Sequence, residues 1–406
     1  MAAPLHPRYR IGVNVSAVPP ATSSGPPVIL DVAIVGAGPA GCAAALALQG
    51  SGLRVGLIEK AVPPRHKTCG GGVVARVMAL LPAAVRAAVE RECHLAELVH
   101  HDPGLRFACW RDEPIISMVM RDRFDHLLTT AAQETGTILF AATPVLDVVP
   151  GPKEVRLLTN RGEFRARYVI AADGVNSVVA RKIGRPALRH VVPALECEVT
   201  FAEAAMAPLM QSARFDFGLV PAGYGWAFPK KDHLSIGVLT TRPGRASLPQ
   251  EYRRYLAALG LGEPLHEERH GFMIPCRPRD DLFGAPRILL VGDAAGLADP
   301  LTAEGITGGV MSGQLAARAI ALGGGDERAV MRTYRATLEK ALLGELRVAR
   351  LIARVVYGWP RIRGAVLRRR GQRASELLTS VVTGETSYTA IMRRPENYRH
   401  LFFGRG

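Results

Sequence analysis

The stretch VILDVAIVGAGPAG, residues 28–41, joins an apolar run to a glycine-rich turn. The run Val28–Val35 is broken only by Asp31, which suits a strand buried in a parallel sheet. It leads into Gly36-x-Gly38-x-x-Gly41, and the small residues Ala40–Gln49 then read as a helix. Gly36 permits the tight turn, Gly38 lets the backbone approach a pyrophosphate, and Gly41 allows close helix–strand packing. Pro39 and Ala40 open the helix, whose N-terminus presents free N–H groups and the positive dipole end to an anion. Arg54–Ile58 reads as a second strand, and Glu59 closes it 23 residues after Gly36, where a carboxylate can bond ribose hydroxyls, with Lys60 beside it. Together these features predict a βαβ dinucleotide-binding unit.

Outward from this unit, residues 121–135 read as a helix, with Phe124, Leu127, Leu128 and Ala131 at helical spacing. Thr137–Phe140 reads as a short strand, and a β-rich segment runs from Pro144 to Val169. Short strands, His233–Leu239 among them, dominate residues 186–275. Arg287–Val291 returns to a buried strand, Gly305–Ile320 is helical, and the pattern stays helical from Glu327 onward. There, Leu342, Leu346, Ile352, Val355 and Val356 share one face, and Arg347, Arg350 and Arg354 share another.

Two later motifs share the form of an apolar strand ending at an aspartate. Tyr168–Ala172 ends in Asp173-Gly174, followed by Asn176, Ser177 and Arg181. Ile288–Val291 ends in Gly292-Asp293, followed by the helix near Gly305. In this order they resemble the FAD-binding elements of the glutathione-reductase-like flavoproteins, which include aromatic hydroxylases, halogenases and geranylgeranyl reductases. The resemblance implies that Asp293 bonds the ribityl chain of the flavin and that Gly305 and Ile306 present a helix N-terminus to its N1–C2=O edge. It places Asp173 and Gly174 in the lining of the cofactor region, and Arg123 beside the flavin phosphates or ribityl.

Three further stretches are similar to the geranylgeranyl reductase family. These are Cys69-Gly70-Gly71-Gly72, the run Tyr224-Gly225-Trp226-Ala227-Phe228-Pro229-Lys230 with His233 and Gly237, and Asp299-Pro300 with Glu304-Gly305-Ile306. Ala303 stands where that family more often has glycine. The resemblance spans about residues 29 to 320 and implies an FAD-dependent enzyme that saturates double bonds of a long isoprenoid chain. An isolated alkene accepts hydride poorly, so such a site needs an apolar tunnel, a proton source and a means of softening positive charge. Cys69, Tyr224 and Trp226 are the catalytic candidates. With Phe228, the two aromatics point to one side of a strand and serve either as π faces for a cation or as core. Cys69 is either a thiol approaching the flavin or a small buried residue. A monooxygenase or halogenase acting on a hydrophobic substrate is the alternative, although the run 224–229 departs from the halogenase Trp-x-Trp-x-Ile-Pro pattern. No second glycine-rich βαβ unit for NADPH is visible; the resemblance leaves NADPH bound without one, or reduced ferredoxin, as the expected reductant.

The expected architecture is α/β: a flexible leader (1–27), a discontinuous Rossmann-type FAD-binding domain (28–185 and 276–325), an interleaved β-rich substrate domain (186–275) and a basic helical C-terminal region (326–406). Six scattered cysteines without a CxxC pair fit a reducing compartment and offer no metal-ligand spacing. The 22 uncharged residues Val32–Leu53 read as strand, turn and helix, not as a membrane span, and no signal-peptide core precedes them. These readings favour a cytoplasmic protein. The net charge is +15, and residues 326–406 hold 17 Arg/Lys against 7 Asp/Glu. That excess reads either as a solvated surface or as attraction to an anionic membrane or phosphorylated substrate. Nucleic acid is not an expected partner, because no matching motif accompanies the charge.

Overall fold

A computed structural model describes residues 26–102, 104–244, 247–279 and 283–393. Residues 1–25 of the expected leader and the end of the C-terminal region lie outside the described residues.

Five short apolar segments form a parallel core in the order Ile288–Leu290, Gly162–Ala171, Val28–Val35, Val55–Ile58 and Ile138–Phe140. Val32, Ala33, Ile34, Leu57, Val169, Ile170 and Leu289 have no exposed surface, as expected of strands covered on both faces. The expected β-rich segment after Pro144 is an antiparallel meander, Val145–Pro150 and Val155–Thr159, which pairs onto Gly162–Ala171. The three aspartate- or glycine-bearing loops leave the C-terminal ends of Val28–Val35, Gly162–Ala171 and Ile288–Leu290. In an open α/β sheet this is the edge at which ligands bind.

Helix Pro39–Ala47 crosses helix Ile306–Leu322 in direct backbone contact. A Cβ on Gly313 would stand 2.2 Å from the Ala40 carbonyl oxygen, and one on Gly309 would stand 3.4 Å from the Ala40 Cβ. The Ser312 hydroxyl accepts the Gly292 N–H at 2.9 Å and ties the Gly-Asp turn to the second helix.

A seven-stranded sheet forms the second layer, in the order His266–Pro275, Val191–Thr200, Leu234–Thr240, Gly223–Pro229, Ala213–Phe217, Leu95–His100 and Leu105–Trp110. The last two strands come from the segment expected in the FAD-binding domain, so this layer extends beyond residues 186–275. Leu95–His100 joins by parallel pairing with Ala213–Phe217. Helix Leu248–Leu259 covers one face of the sheet, burying Tyr252 and Tyr255 against Cys197 and Ile236.

The C-terminal helices Glu327–Leu338, Gly344–Gly358, Pro360–Thr383 and Tyr388–Arg393 pack on both layers. The buried face includes Leu342 and Leu346, as expected. It continues through Ala349, Ala353 and Tyr357, while Val355 is only partly covered. Arg111 pins the long helix through Glu376 at 3.0 Å and Glu385 at 2.8 Å. Gly371 lies so close to Phe107 that a Cβ would meet the ring at 1.9 Å.

Gly313→Ala should lower both the melting temperature and flavin retention despite the better helix propensity of alanine. The clash is with backbone, and overpacking of this kind costs about 1–3 kcal/mol. Thermal melts with flavin release as a second signal check this. An unchanged melt would mean that the two helices do not need their close approach.

Candidate active site

The edge of the parallel sheet opens into a cavity of about 520 Å³ that reaches one face of the seven-stranded sheet. Gly36, at φ +104°, has the left-handed backbone a glycine tolerates, and a Cβ there would lie 2.4 Å from the Ala172 carbonyl oxygen. A Cβ on Gly41 would lie 1.9 Å from the Gly36 carbonyl oxygen. Gly38 is different: a Cβ there would meet only the Arg65 guanidinium, at 3.9 Å, because Gly38 faces the open cavity. Pro39 and Ala40 line the cavity beside it.

Two helix N-termini point at this space. Gly38 is the N-cap of Pro39–Ala47 and Gly305 that of Ile306–Leu322, and no side chain caps either at the N-cap position. Gly305 and Ile306 both line the cavity. The turn before them is built by Asp299, whose Oδ1 accepts the N–H groups of Leu301 at 2.7 Å and Thr302 at 3.1 Å. Ala303 takes φ +57° in that turn, a left-handed conformation that glycine adopts with less strain.

Asp293 lines the cavity and its carboxylate has no hydrogen-bond partner among the described residues. Burial pushes its pKa up, opposed by Lys67 and Arg121. Asp173 also lines the cavity, but its oxygens accept from the Ser177 hydroxyl at 2.6 Å and the Val179 N–H at 3.1 Å, which organises the following turn. Gly174 lies next to it at φ +80°. Glu59 is buried with Oε2 accepting the Ala37 N–H at 2.8 Å and Oε1 accepting the Ala61 N–H at 3.1 Å. It therefore fixes the glycine turn as well as facing the cavity, which Lys60 flanks from its exposed position.

Arg123 is not brought to this site. It is exposed on helix Arg121–Glu134, and the arginine that lines the cavity is Arg121. Arg121 shares the buried helix face with Phe124, Asp125 and Leu128, and pairs with Asp125 at 2.8 Å. Arg65, which the sequence did not single out, binds Asp125 at 3.0 Å and faces Gly38.

Across the cavity, Tyr224, Trp226 and Phe228 all line it, as strand alternation requires, while Gly225 and Ala227 face the other way. Phe215 adds to the row, 5.2 Å from Phe228 and 6.0 Å from Tyr224 between ring centroids. The Tyr224 hydroxyl donates to the Thr302 carbonyl, joining the sheet to the turn before the helix. The Trp226 ring lies over Gly237, where a Cβ would come within 2.1 Å, and its Nε1 is buried without a partner.

Cys69 lines the cavity on the loop between the two walls. The loop is held by Lys230, which is 0% exposed and donates to the carbonyls of Gly70 at 2.8 Å and Val119 at 2.9 Å. Lys230 was visible in the sequence as part of the Phe-Pro-Lys run, but nothing local marked it as buried. Lys67 lies 3.2 Å over the Phe272 ring, and burial with the nearby Arg121 charge brings its pKa down to about 8. The C-terminal helices complete the wall with Val382 and Tyr388, and the Tyr357 hydroxyl donates to the Leu301 carbonyl. These three had no motif to announce them.

Comparison with known proteins agrees with this geometry. Residues 29–231 match the family described as FAD binding domain. The chain belongs to that family and is an FAD-dependent oxidoreductase of geranylgeranyl reductase-like type. It is 32% identical to digeranylgeranylglycerophospholipid reductase 1 of Methanopyrus kandleri, over 70% of this chain and 79% of that one. It is 31% identical to the menaquinone reductase of Mycolicibacterium smegmatis, over 72% of this chain and 77% of that one. The fold is that of a geranylgeranyl bacteriochlorophyll reductase-like protein from Thermoplasma acidophilum, with TM-score 0.71 and 22% identity over 93% of this chain and 99% of that one.

The residues present fit FAD. The Gly38 cradle is open, two helix N-termini face the cavity, and the partly buried Asp293 carboxylate lacks a partner among the described residues. Gly38→Val should abolish flavin retention by filling the cradle. Asp293→Ala should weaken it about ten- to 100-fold, since a hydrogen bond to a charged group contributes about 1.5–3 kcal/mol. Flavin content after gel filtration reads both; full occupancy in either variant would remove that residue from the cofactor site.

Proposed function

We propose that the protein saturates double bonds of a long isoprenoid chain of geranylgeranyl type. The observation that carries this reading is the continuity of one cavity from the Gly38 cradle to the face formed by Phe215, Tyr224, Trp226, Phe228, Leu239 and Ile274. Bound FAD, once reduced, supplies a hydride. The protein's part is to seat the chain against that apolar face, keep water from the reacting carbons and soften positive charge with aromatic π faces. Cys69 stands on the loop between the two walls and lines the cavity. In the two relatives the names specify a phospholipid and a quinone head group, and both kinds of molecule carry isoprenoid chains. The aromatic face addresses the chain, so chain recognition is the shared element. NADPH or reduced ferredoxin supplies the electrons.

Under anaerobic conditions, the dithionite-reduced protein should be reoxidised by geranylgeranyl diphosphate, with product mass rising by two hydrogens per bond. A flavin that stays reduced until oxygen is admitted would overturn the reductase reading in favour of a monooxygenase.

We also propose that the C-terminal helices rest on an anionic membrane surface, from which such a chain would enter. Leu351, Trp359 and Ile362 are exposed at 50%, 58% and 47%, beside the exposed Arg354, Arg361, Arg368 and Arg369. An apolar tip ringed by arginine suits the interfacial zone. No helix among the described residues is long and apolar enough to cross a membrane. The combined variant Trp359→Ser, Ile362→Ser should sediment less with phosphatidylglycerol vesicles while keeping its flavin. Removing the whole helical region would not test this, because Val382 and Tyr388 wall the cavity. Equal sedimentation would leave the arginines as ordinary solvated surface.

A further inference from the structure

Resting on the reductase reading, we infer that Glu196 is the acid that protonates the substrate, and that Glu198, His233 and Asp232 return a proton to it from solvent. Glu196 lies on Val191–Thr200 with its side chain on the cavity face. Its cross-strand partner is Gly237, whose own partner on the other side is Trp226. Because Gly237 has no side chain, nothing separates the carboxyl from the indole within that row. Glu196 is 2% exposed; its Oε1 accepts from the Ser235 hydroxyl at 3.0 Å, and Oε2 has no partner.

Glu198 follows two residues on, on the same face of the strand. Its Oε2 lies 3.0 Å from Nε2 of His233, and Nδ1 of the same ring lies 2.9 Å from Asp232, whose side chain is 59% exposed. The bonded chain Glu198, His233 and Asp232 therefore reaches bulk water, and Glu196 stands next along the same strand face at its inner end. Burial and the Glu198 charge push the Glu196 carboxyl well above the ordinary carboxylate range, against the pull of Ser235 and Lys230. Burial also works against the charge on Glu198, but its bond to His233 and the charge of Lys230 hold that carboxyl down. Burial thus favours the protonated form of Glu196, while the bond to His233 favours the carboxylate of Glu198. On the other side of the strand pairing, His270 is opposite Glu196 and Glu268 opposite Glu198; His270 pairs with Glu268 at 3.2 Å, and its ring centroid lies 4.1 Å from that of His66 in a tilted pair. Cys69 and Glu196 line the same cavity.

Other groups that could give a proton also line the cavity, among them Asp293 and Glu304, whose carboxyls burial pushes up as well. The Tyr224 hydroxyl is given to Thr302, and Glu304 accepts the Thr307 N–H at 2.8 Å through Oε1, while its buried Oε2 has no partner; Glu196 differs from these in standing directly beside the Trp226 row. Reduction of one C=C bond then balances as follows. One carbon receives a hydride, with its two electrons, from the reduced flavin. The other receives the proton of Glu196, whose O–H bond breaks and leaves the electron pair on the carboxylate. A proton from water enters through Asp232 and His233, crosses Glu198 and restores Glu196.

The holoenzyme at neutral pH should show the infrared carbonyl band of a protonated carboxylic acid, shifted in D2O and absent from Glu196→Gln. In anaerobic single turnover with geranylgeranyl diphosphate, Glu196→Gln should reoxidise about 10²–10⁴-fold more slowly, the usual loss of a general acid. Its flavin content and reduction by dithionite should be unchanged, and Glu196→Asp should recover part of the rate. The wild-type rate should fall as pH rises above neutrality and strips the proton from Glu196, and His233→Ala should alter that pH profile. A missing band overturns the assignment without reference to any substrate. A reactive wild type matched by an equally fast Glu196→Gln overturns it while the reductase reading stands. A wild type that does not react overturns the reductase reading and the assignment with it.

Discussion

The contact that the site depends on is the crossing of two helices whose side chains are too small to keep them apart. Ala40, Gly309 and Gly313 let the backbones of Pro39–Ala47 and Ile306–Leu322 touch. Two N-termini from opposite ends of the chain are thereby aimed into one cavity. Under the proposed function, one helix dipole would favour a pyrophosphate and the other the negative charge of a reduced flavin. A side chain at the crossing would separate these ends, and no local repair could bring them back.

The opposite wall is also set by small residues. Gly237 leaves space for the Trp226 ring, and Gly70 and Gly72 admit Trp226 and Phe228 beside the Cys69 loop. Lys230 secures that loop by pairing with backbone carbonyls, an arrangement that removes the lysine from water and spends its charge on shape. Such a buried cation is tolerable because its donors are satisfied and because acidic side chains stand nearby. The same cation biases those acids, so the scaffold and the proton inventory of the cavity are linked.

Much of the nucleotide side was legible because its requirements are local. A strand, three glycines at fixed spacing and an acid at the end of the next strand all fall within residues 28–59. The aromatic row was legible for a similar reason, since alternation along one strand puts Tyr224, Trp226 and Phe228 together. Arg123 misled because the resemblance supplied a residue type without a helix phase. Phe124 and Leu128 define the buried face, and Arg121, three and seven positions before them, belongs to it. The strands Leu95–His100 and Leu105–Trp110 could not be assigned from local pattern, because their partner Ala213–Phe217 is distant in the chain. Tyr357, Val382 and Tyr388 were hidden for the same reason: amphipathic helices announce a buried face but not what it covers.

In the proposed function, one cavity holds both the flavin and the prenyl chain, with the chain along the aromatic face. Photolabelling the flavin-loaded protein with a diazirine-bearing prenyl diphosphate, followed by peptide mass spectrometry, tests it most directly. The account predicts adducts within residues 213–229 and 272–274 and at the Cys69 loop, with the flavin still bound. Adducts confined to other surfaces, or loss of the flavin on prenyl binding, would contradict it.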